Sequence, residues 1–539
     1  MFSKPSALLQ RLSAKQQYAL LVTAFFFLSA LAIYALRYPL NPNRIIETFL
    51  LWLVLHRLSP RLLQALLYIS ALVVLLYHPT AALYGRPSFG IIASLISTSA
   101  SEAGEYLQTI PWRVYITAVV FSLLLVALAR LAGRIAAPKF GWRWLLPLCT
   151  VIAAMAFSTA RESYEQNGFP LRVVPLEFMA DSYLMPKAYF AELNKLQHDL
   201  QLPHDWQVTA TQQPYRNYVL LIGESVRADY MSLYGFKIDN TPFLRRRANL
   251  VMENQLSPGP NTPISLLYGL NLNHNGGFQI QNNLVSLAKA AGMHTVWLSN
   301  QGALGKYDTS ISAIAHKADE VHFLKTTGYD FGHKTYDSEL LPLLQQTLQQ
   351  PLPPQQNRLI VLHLLGSHPN PCDRLTQPPL HYSSNANTNC YIDSIRATDT
   401  LLADIDTLLV KTGQPYSMLY FSDHGLSHDK NTYDKNTLSI EASVLRHNDR
   451  YRQNYHIPLA IINSDQQNQQ RNPAQRSGEP LLSGLAQWLG IRSPQFAAEY
   501  DFFAPKADTD IRVLDFSARW RRADELADDP PPLADIHHP

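Results

Sequence analysis

Four short apolar segments of the chain each lead into polar residues that could bind a metal ion or an anion. Short apolar stretches that stop at glycine or polar residues are typical of buried strands. The carboxyl ends of parallel strands form one sheet edge, where α/β proteins bind ligands. The polar groups are therefore predicted to converge in one cleft. They are Glu224-Ser225 after Tyr218–Ile222, Asp423-His424-Gly425 after Met418–Ser422, Gly366-Ser367-His368 after Leu359–Leu365, and Ser299-Asn300-Gln301-Gly302 after Thr295–Leu298.

The ligand types point to metal-assisted transfer of a phosphoryl group. Glu224, Asp423 and His424 offer oxygen and nitrogen ligands that suit zinc or manganese. Phosphoryl transfer also needs a nucleophile near the metal and donors for the phosphorus oxygens. Ser225 is adjacent to Glu224, while Thr262 begins an apolar helical stretch whose N-terminus favours an anion. Taken alone, the residues favour a role for Thr262 as the helix N-cap over a role as the nucleophile. Ser225 and Thr262 therefore both remain candidate nucleophiles.

The elements that must position these groups indicate an α/β fold. Short apolar strands alternate with helical patterns such as Leu284–Ala291 and Tyr391–Val410, which predicts a mainly parallel sheet with helices on both faces. We expect a transmembrane domain at 1–160, bridging linker helices at 161–216 and the sheet domain at 217–522. The remaining tail, 523–539, is acidic and rich in proline and is predicted to be disordered.

The first 160 residues contain five apolar segments that could form a bundle of about five transmembrane helices. Basic residues concentrate in the loops on one side, so the N-terminus is predicted to be cytoplasmic and the sheet domain to lie outside. The net charge of +3, with no dense basic run, excludes a nucleic-acid partner. The segments are Tyr18–Leu36, Ile45–Leu55, Leu62–Tyr77, Val114–Leu131 and Trp144–Phe157.

Taken together in this order, GES, MSLYG, TP, the turn at Thr262, GSH and SDHG resemble the phosphoethanolamine transferases of bacterial envelopes. These belong to the alkaline phosphatase and sulfatase superfamily. The resemblance covers Tyr218–Ile462 and extends to the membrane half by architecture. It implies that Thr262 takes up phosphoethanolamine and binds one essential metal, zinc or manganese, with Glu224, Asp423 and His424; a second metal is possible.

Further site residues are assigned with alternatives. His368 and His447 resemble outer histidines of that family, which contact the phosphoryl group or bind a second metal; ordinary surface histidines are the alternative. Asn300 and Lys306 are candidate substrate-binding residues. Around Thr262 the chain has Asn261 and Pro263 where the family often has cysteine and small hydroxyl residues. Leu426-Ser427-His428 also lacks the family's usual acidic residue, which bears on substrate specificity.

Two cysteines, Cys372 and Cys390, flank a polar loop in the domain predicted to lie outside. An oxidising compartment favours a disulfide between them, and two free thiols are the alternative. Cys372-Asp373-Arg374 does not fit the Cys-x-Pro-x-Arg motif from which sulfatases make formylglycine. A soluble sulfatase is therefore disfavoured.

The resemblance implies a multi-pass inner-membrane enzyme, expected to be a monomer, with its catalytic domain in the periplasm. It would move phosphoethanolamine from phosphatidylethanolamine to lipopolysaccharide, at lipid A or a core sugar, or to another envelope glycan, through a phospho-threonine intermediate. The alternatives are a phosphoglycerol transferase acting on a glycan and a non-catalytic membrane regulator with a hydrolase-like domain.

Overall fold

The structure is a computed structural model in which two compact units are distinguished. One combines residues 1–88 with 110–188, and the other combines 89–109 with 189–539. The residues that the structure describes are 12–87, isolated positions between 91 and 107, 110–137, 173–274, 276–302, 310–325, 334–428, 445–533 and 536–538.

The first unit is built from apolar helices. Helix α1 begins with a capping box in which Ser13 and Gln16 satisfy each other's backbone N–H groups. Asn41 and Ser59 cap the next two helices, each followed by a proline in the first turn. The bounds are Ala14–Ala35 (α1), Pro42–Leu58 (α2), Pro60–Tyr84 (α3) and Trp112–Arg134 (α4), and Leu176–Gln201 (α5) begins in this unit.

The expectation of five spans is corrected to three among the described residues. Helices α1, α3 and α4 are long and apolar enough to cross a membrane. The predicted second span forms helix α2, whose 17 residues stand at the lower limit for a crossing and include the buried, charged Arg44 and Glu47. The predicted fifth span, 144–157, lies outside the described residues.

A buried ionic network joins the first turn of α2 to the first turns of α5. The Arg44 guanidinium donates to both carboxylate oxygens of Glu177, at 3.0 and 2.9 Å. Tyr38 donates its hydroxyl to Asp181 Oδ2 at 2.7 Å. Both side chains of the Arg44–Glu177 pair are buried, so each charge depends on the other for compensation.

The second unit is organised around an eight-stranded mixed sheet. The strands of this sheet are Asn217–Gly223 (β2), Leu250–Leu256 (β3), His294–Gly302 (β6), Glu320–Lys325 (β7), Arg358–His363 (β8), Tyr416–Ser422 (β9), His456–Asn463 (β12) and Gln470–Arg476 (β13). Their order across the sheet is β13-β3-β12-β9-β2-β8-β6-β7. Strand β12 is antiparallel to both of its neighbours, and all other pairs are parallel.

The second unit also contains two-stranded antiparallel sheets, and helices cover the faces of the eight-stranded sheet. The pairs are Ala210–Thr211 (β1) with Ile491–Arg492 (β14), Asn271–His274 (β4) with Gly277–Asn283 (β5), Ser427–His428 (β10) with Leu445–Arg446 (β11), and Arg512–Leu514 (β15) with Trp520–Arg522 (β16). The helices are Pro242–Arg247 (α6), Thr262–Gly269 (α7), Leu284–Ala290 (α8), Ser310–Ala315 (α9), Leu340–Gln349 (α10), Ala386–Lys411 (α11) and Leu481–Trp488 (α12).

The alternation of strands and helices therefore matches the predicted α/β class, with one antiparallel strand added. Strands β2, β8 and β9 are buried along their whole length, which explains why their sequences are continuously apolar rather than alternating. The residues of their two faces fall into two separate hydrophobic clusters, for example Leu220 and Leu419 on one side and Val219 and Met418 on the other.

The tail is the clearest departure from the expected fold. The described residues beyond Ala523 pack on the second unit rather than being disordered: Asp529 is fully buried against Arg227, and Ile536 is fully buried in a hydrophobic cluster. The acidic, proline-rich composition was misleading because a single buried ion pair and one apolar anchor are enough to fix a short segment.

We predict that Glu177→Gln lowers the melting temperature of the full-length protein in detergent. The substitution leaves Arg44 buried without its bidentate partner, a change that costs about 3 kcal/mol or more. The matched control is Arg86→Gln, because the Arg86 side chain is half-exposed and lies 3.8 Å from Glu177. Equal melting temperatures for Glu177→Gln and the wild type would contradict the structural role of this pair.

Candidate active site

The register of two adjacent strands brings Glu224 and Asp423 side by side. Strands β2 and β9 are parallel, and their last residues, Gly223 and Ser422, are partners across the sheet. The next residue of each strand carries a carboxylate, and both carboxylates are buried. The backbone N–H of Ser225 donates to Asp423 Oδ1 at 3.0 Å, which ties the two turns together.

Thr262 and His424 complete a compact group of four side chains. The Thr262 hydroxyl donates to Glu224 Oε2 at 2.9 Å and lies 3.4 Å from His424 Nε2. His424 Nε2 lies 3.3 Å from both Glu224 Oε1 and Asp423 Oδ2. The structure thus brings together all four residues that the sequence assigned to a metal and a nucleophile.

The start of helix α7 shows why the Thr262 hydroxyl is available for this contact. Asn261, not Thr262, is the N-cap, and its side chain accepts from the backbone N–H of Ile264 at 3.2 Å. The expectation that Thr262 caps the helix is therefore wrong by one residue. Thr262 is only partly buried, whereas the competing Ser225 is fully buried and donates to Glu224 Oε1 at 2.6 Å. Thr262 is the hydroxyl that a substrate could reach.

The charges of this group depend strongly on one another. Burial opposes ionisation of Glu224, but the hydrogen bond and charge of His424 hold its pKa below the usual range. Burial, followed by the negative charge of Glu224, raises the pKa of Asp423. Burial alone would lower the pKa of His424, but the charges of Asp423 and Glu224 raise it to about 9. One imidazolium therefore compensates the negative charges of two buried carboxylates only in part.

The donor set fits a divalent metal ion. Asp423 Oδ2 is buried and accepts no hydrogen bond from the described residues; its contact with His424 Nε2 at 3.3 Å is an ion pair, so a cation could take the place of that proton. The oxygen and nitrogen ligands match the preferences of zinc, and manganese accepts the same types. His424 Nδ1 lies 2.7 Å from the carbonyl oxygen of Gly425, so Nε2 is the nitrogen that faces the carboxylates.

His447 also belongs to this candidate metal centre. One ligand atom each from Glu224, His424 and His447 lie within 4.8 Å of one another. The rings of His447 and His424 are 4.8 Å apart, and His368 lies farther out, with its ring 6.2 Å from that of His447. Burial, followed by the neighbouring charge of His424, holds the pKa of His447 well below its usual range. His447 is therefore neutral and able to bind a metal or a phosphoryl oxygen.

At the end of β6, Gln301 contacts the site and Asn300 does not. The Gln301 side chain donates to Glu224 Oε2 at 3.2 Å and to the carbonyl oxygen of Leu364 at 2.8 Å. Asn300 is fully buried and instead donates to Asp337 Oδ1 at 2.7 Å. The assignment of Asn300 to substrate binding is therefore corrected. Successive side chains of a strand point to opposite faces, so only one of these two neighbours can face Glu224, and no sequence signal marks which one. The β6–β7 register is also irregular between Ser299 and Gly302.

Asp337 is a supporting residue that sequence reasoning missed. Besides Asn300, its carboxylate accepts from the backbone N–H groups of Leu365 and Gly366, each at 2.8 Å. Gly366 has φ +49°, and a Cβ atom there would lie 2.9 Å from the backbone N and O of Glu224. Asp337 therefore fixes a turn that packs directly on Glu224. Its position just before helix α10 is one where an acidic residue ordinarily serves as a cap.

The other expected residues have separate outcomes. Cys372 and Cys390 form a disulfide. His363, inside strand β8, is buried, and burial lowers its pKa to about 4, so it is a neutral residue of the sheet. Lys306 lies outside the described residues, so its assignment to substrate binding stays a prediction.

Comparisons with known proteins find relatives that cover most of the chain. The Sulfatase family profile matches residues 216–491. Phosphoethanolamine transferase OpgE of Escherichia coli strain K12 is 33% identical over 505 residues, covering 92% of this chain and 93% of that protein. The chain belongs to the phosphoethanolamine transferases of the sulfatase family. It is therefore a transferase enzyme.

More distant members agree with this placement. Phosphoethanolamine transferase EptC of Escherichia coli strain K12 is 24% identical over 425 residues, which cover 70% of this chain and 71% of that protein. The solved structure of the lipooligosaccharide phosphoethanolamine transferase A (EptA), an integral membrane protein of Neisseria meningitidis, matches with a TM-score of 0.57 at 17% identity. That match covers 90% of this chain and 98% of the solved chain. It shows that the fold of this transferase family is shared.

We predict that the apparent affinity of this transferase for Zn²⁺ rises with pH up to about 9. Metal ligands bind in their deprotonated forms, and in the metal-free site the pKa of Asp423 is raised and that of His424 is about 9. Metal binding must therefore release protons, and acid must weaken it. Calorimetric Zn²⁺ titrations between about pH 6.5 and pH 8.5, in buffers of different ionisation enthalpy, measure both effects. Affinity that is constant over this range, with no proton release, would refute the prediction.

We predict that Asp337→Asn destabilises the catalytic domain by about 1–3 kcal/mol and lowers transferase activity. The amide cannot accept all three hydrogen bonds made by the carboxylate, so one buried donor loses its partner. Thermal unfolding and a transfer assay below the melting temperature measure the two effects. Asp239→Asn is the control, because that residue forms an exposed ion pair with Arg245. Wild-type stability in Asp337→Asn would rule out the role of this carboxylate.

Proposed function

We propose that the enzyme transfers phosphoethanolamine from phosphatidylethanolamine to an envelope acceptor, with Thr262 as the nucleophile. The observation that carries the proposal is the 2.9 Å hydrogen bond from the Thr262 hydroxyl to Glu224 Oε2, beside His424 and Asp423. A partly exposed hydroxyl beside carboxylate and imidazole groups is the arrangement expected of an activated nucleophile. The similarity to OpgE over 92% of this chain supports phosphoethanolamine as the transferred group.

In the first step, Thr262 Oγ1 attacks the phosphorus atom of the lipid phosphodiester. Its proton moves toward Glu224 Oε2, the atom to which the hydroxyl already donates. The bond between phosphorus and the diacylglycerol oxygen breaks, that oxygen leaves with the electron pair, and the proton taken up by Glu224 passes to it through solvent. The products are diacylglycerol and a phosphoethanolamine ester of Thr262.

In the second step, a hydroxyl or phosphate oxygen of the acceptor attacks the same phosphorus atom. The bond from phosphorus to Thr262 Oγ1 breaks with its electron pair on Oγ1, which takes up the proton released by the acceptor hydroxyl, or one from solvent where a phosphate oxygen attacks, so the enzyme returns to its starting state. The N-terminus of helix α7, where Thr262 is the first helical residue, directs backbone N–H groups toward the anionic phosphoryl group.

Zinc or manganese held by Glu224, Asp423, His424 and Thr262 would lower the pKa of the threonine hydroxyl and neutralise charge on the phosphoryl oxygens. We assign contacts with those oxygens, or with a second metal, to His447 and His368; the ring of His447 lies 4.8 Å from that of His424 and 6.2 Å from that of His368, which supports this assignment. One metal is proposed to be essential for the transfer.

The apolar helices α1, α3 and α4 support an inner-membrane location for the enzyme. We place the catalytic domain in the periplasm and take the enzyme to be a monomer. Because a donor with two acyl chains remains in the bilayer, anchoring the catalytic domain there raises the local donor concentration. The proposed acceptor is lipopolysaccharide, at lipid A or a core sugar, with other envelope glycans sharing the same attacking hydroxyl chemistry.

We expect Thr262→Ala to reduce phosphoethanolamine transfer by about 10³-fold or more, because Ser225, the other hydroxyl that contacts Glu224 among the described residues, is fully buried and cannot replace the nucleophile. A strain lacking the gene is complemented with wild-type enzyme, Thr262→Ala, or the control Thr407→Ala on the exposed face of helix α11. Mass spectrometry then measures phosphoethanolamine on lipopolysaccharide and on soluble periplasmic glycans, and diacylglycerol in the lipid extract.

Phosphoethanolamine on either acceptor fraction, present with wild type and Thr407→Ala but absent with Thr262→Ala, supports the proposal and identifies the acceptor. Mass spectrometry of the purified enzyme should also find the phosphoethanolamine adduct on the peptide that contains Thr262. Full transfer by Thr262→Ala would overturn the nucleophile assignment. Diacylglycerol formed from phosphatidylglycerol instead would favour a phosphoglycerol transferase.

A further inference from the structure

The last residues of the chain form a C-terminal strap, defined here as residues 527–533 and 536–538. The strap is fixed near its start by paired backbone hydrogen bonds of Ala527 with Arg450 and Arg452, at 3.0 and 2.9 Å. Near its end, Ile536 is fully buried and the His537 N–H donates to the carbonyl oxygen of Tyr382 at 2.6 Å. Between these anchors, the strap directs Asp529 into the domain.

Asp529 is fully buried and holds two loops at once. Its Oδ2 atom accepts from Arg227 at 3.0 Å and from the backbone N–H of His428 at 2.7 Å, and lies 2.9 Å from His428 Nδ1. Its carbonyl oxygen accepts a second bond from Arg227, at 2.6 Å. Arg227 lies in the loop that follows Glu224, and His428 lies in the segment that follows Asp423 and His424. One residue of the strap therefore joins the loops that carry Glu224, Asp423 and His424, three of the four proposed metal ligands.

Two contacts carry this connection to the His424 ring through Gly425. A Cβ atom on Gly425 would lie 3.0 Å from Arg227 Cγ and 2.4 Å from the carbonyl oxygen of Gln453. The Gln453 side chain in turn accepts from the Asp529 N–H at 2.7 Å. Arg227 and Gln453, both held by Asp529, thus confine Gly425 from two sides. The Gly425 carbonyl oxygen lies 2.7 Å from His424 Nδ1 and sets the orientation of the imidazole.

We propose that Asp529 is a positioning residue of the active site, which orients the His424 imidazole for metal binding through Arg227, Gln453 and Gly425. The C-terminal strap is then part of the catalytic apparatus rather than an appendage. The expected effect of Asp529 on phosphoethanolamine transfer rests on the proposed function, whereas its expected effect on metal binding rests on the geometry alone. Asp529 does not contact the reacting atoms, so its effect reaches the site only through the residues it holds.

The Arg227 side chain explains why a carboxylate is needed at this position. The guanidinium is fully buried and also pairs with Asp229, to which it donates twice, at 2.8 and 2.7 Å. Asp529 Oδ2 accepts from the third guanidinium nitrogen, Nη1, which also lies 3.4 Å from His428 Nδ1. An amide at residue 529 would preserve the shape but weaken the charge-assisted bond, so Arg227 could shift toward Asp229 and release Gly425.

The test compares Asp529→Asn with Asp528→Asn in the full-length protein in detergent. Asp528 is the exposed neighbour in the strap and serves as the matched control. Zn²⁺ affinity is measured by competition with a chelator, and kcat and KM are measured with phosphatidylethanolamine as donor. We expect Asp529→Asn to bind Zn²⁺ about 10-fold or more weakly and to lose kcat with little change in KM, while Asp528→Asn matches the wild type.

Three outcomes decide the matter. Zn²⁺ affinity and kcat of Asp529→Asn within about twofold of the wild type would overturn the proposal, as would losses that disappear when the assay temperature is kept well below the melting temperature. If the wild type binds Zn²⁺ but transfers no phosphoethanolamine, the proposed function fails and Zn²⁺ affinity alone judges Asp529. If Asp529→Asn does not fold, Gln453→Met is tested in its place. This substitution removes the acceptor of the Asp529 N–H and leaves Asp529 and Arg227 paired. Weaker Zn²⁺ binding supports the proposal, and unchanged binding refutes it.

Discussion

Two carboxylates buried at the ends of adjacent strands are the constraint on which the site depends. Glu224 and Asp423 follow paired residues of β2 and β9, so the sheet forces them together. Two like charges about 4 Å apart repel by about 4 kcal/mol at an effective dielectric constant of 20. The positive charge of the His424 imidazolium offsets part of this repulsion. The two carboxylates in turn raise the pKa of His424 to about 9, so the imidazole keeps its proton. A divalent cation offsets more, which is why this geometry favours a metal centre.

The side chains that hold this arrangement come from distant parts of the chain. Asp337 precedes helix α10, Asn261 caps helix α7 and Asp529 lies in the C-terminal strap, yet each satisfies backbone or side-chain donors in a turn that packs on the site. The turns at strand ends have lost their sheet partners, so their buried polar groups need other acceptors. The sheet provides the proximity of the carboxylates, and these supporting residues determine their orientation.

The sequence predicted what local patterns control. The apolar lengths of β2, β8 and β9 and the polar residues after them were enough to place Glu224, Asp423 and His424 together, and the family resemblance added Thr262. What it could not predict depends on tertiary contacts. Gln301 rather than Asn300 lies against Glu224, and Asn261 rather than Thr262 caps helix α7, which leaves the Thr262 hydroxyl free for its contact with Glu224. Apolar length also identified helix α2 but not its buried ionic network.

The tail shows most clearly why composition is a weak guide to local order. An acidic, proline-rich segment lacks the apolar residues for a core of its own, which is the usual argument for disorder. That argument fails when the domain supplies partners for the segment: Asp529 pairs with the buried Arg227, Ile536 is buried in a hydrophobic cluster, and backbone hydrogen bonds of Ala527 and His537 add to these contacts, which together offset the entropy of ordering. Asp529 meets Arg227 across 302 positions of sequence, a separation at which no local pattern can reveal the pairing. Order in the strap is therefore a property of the site it completes.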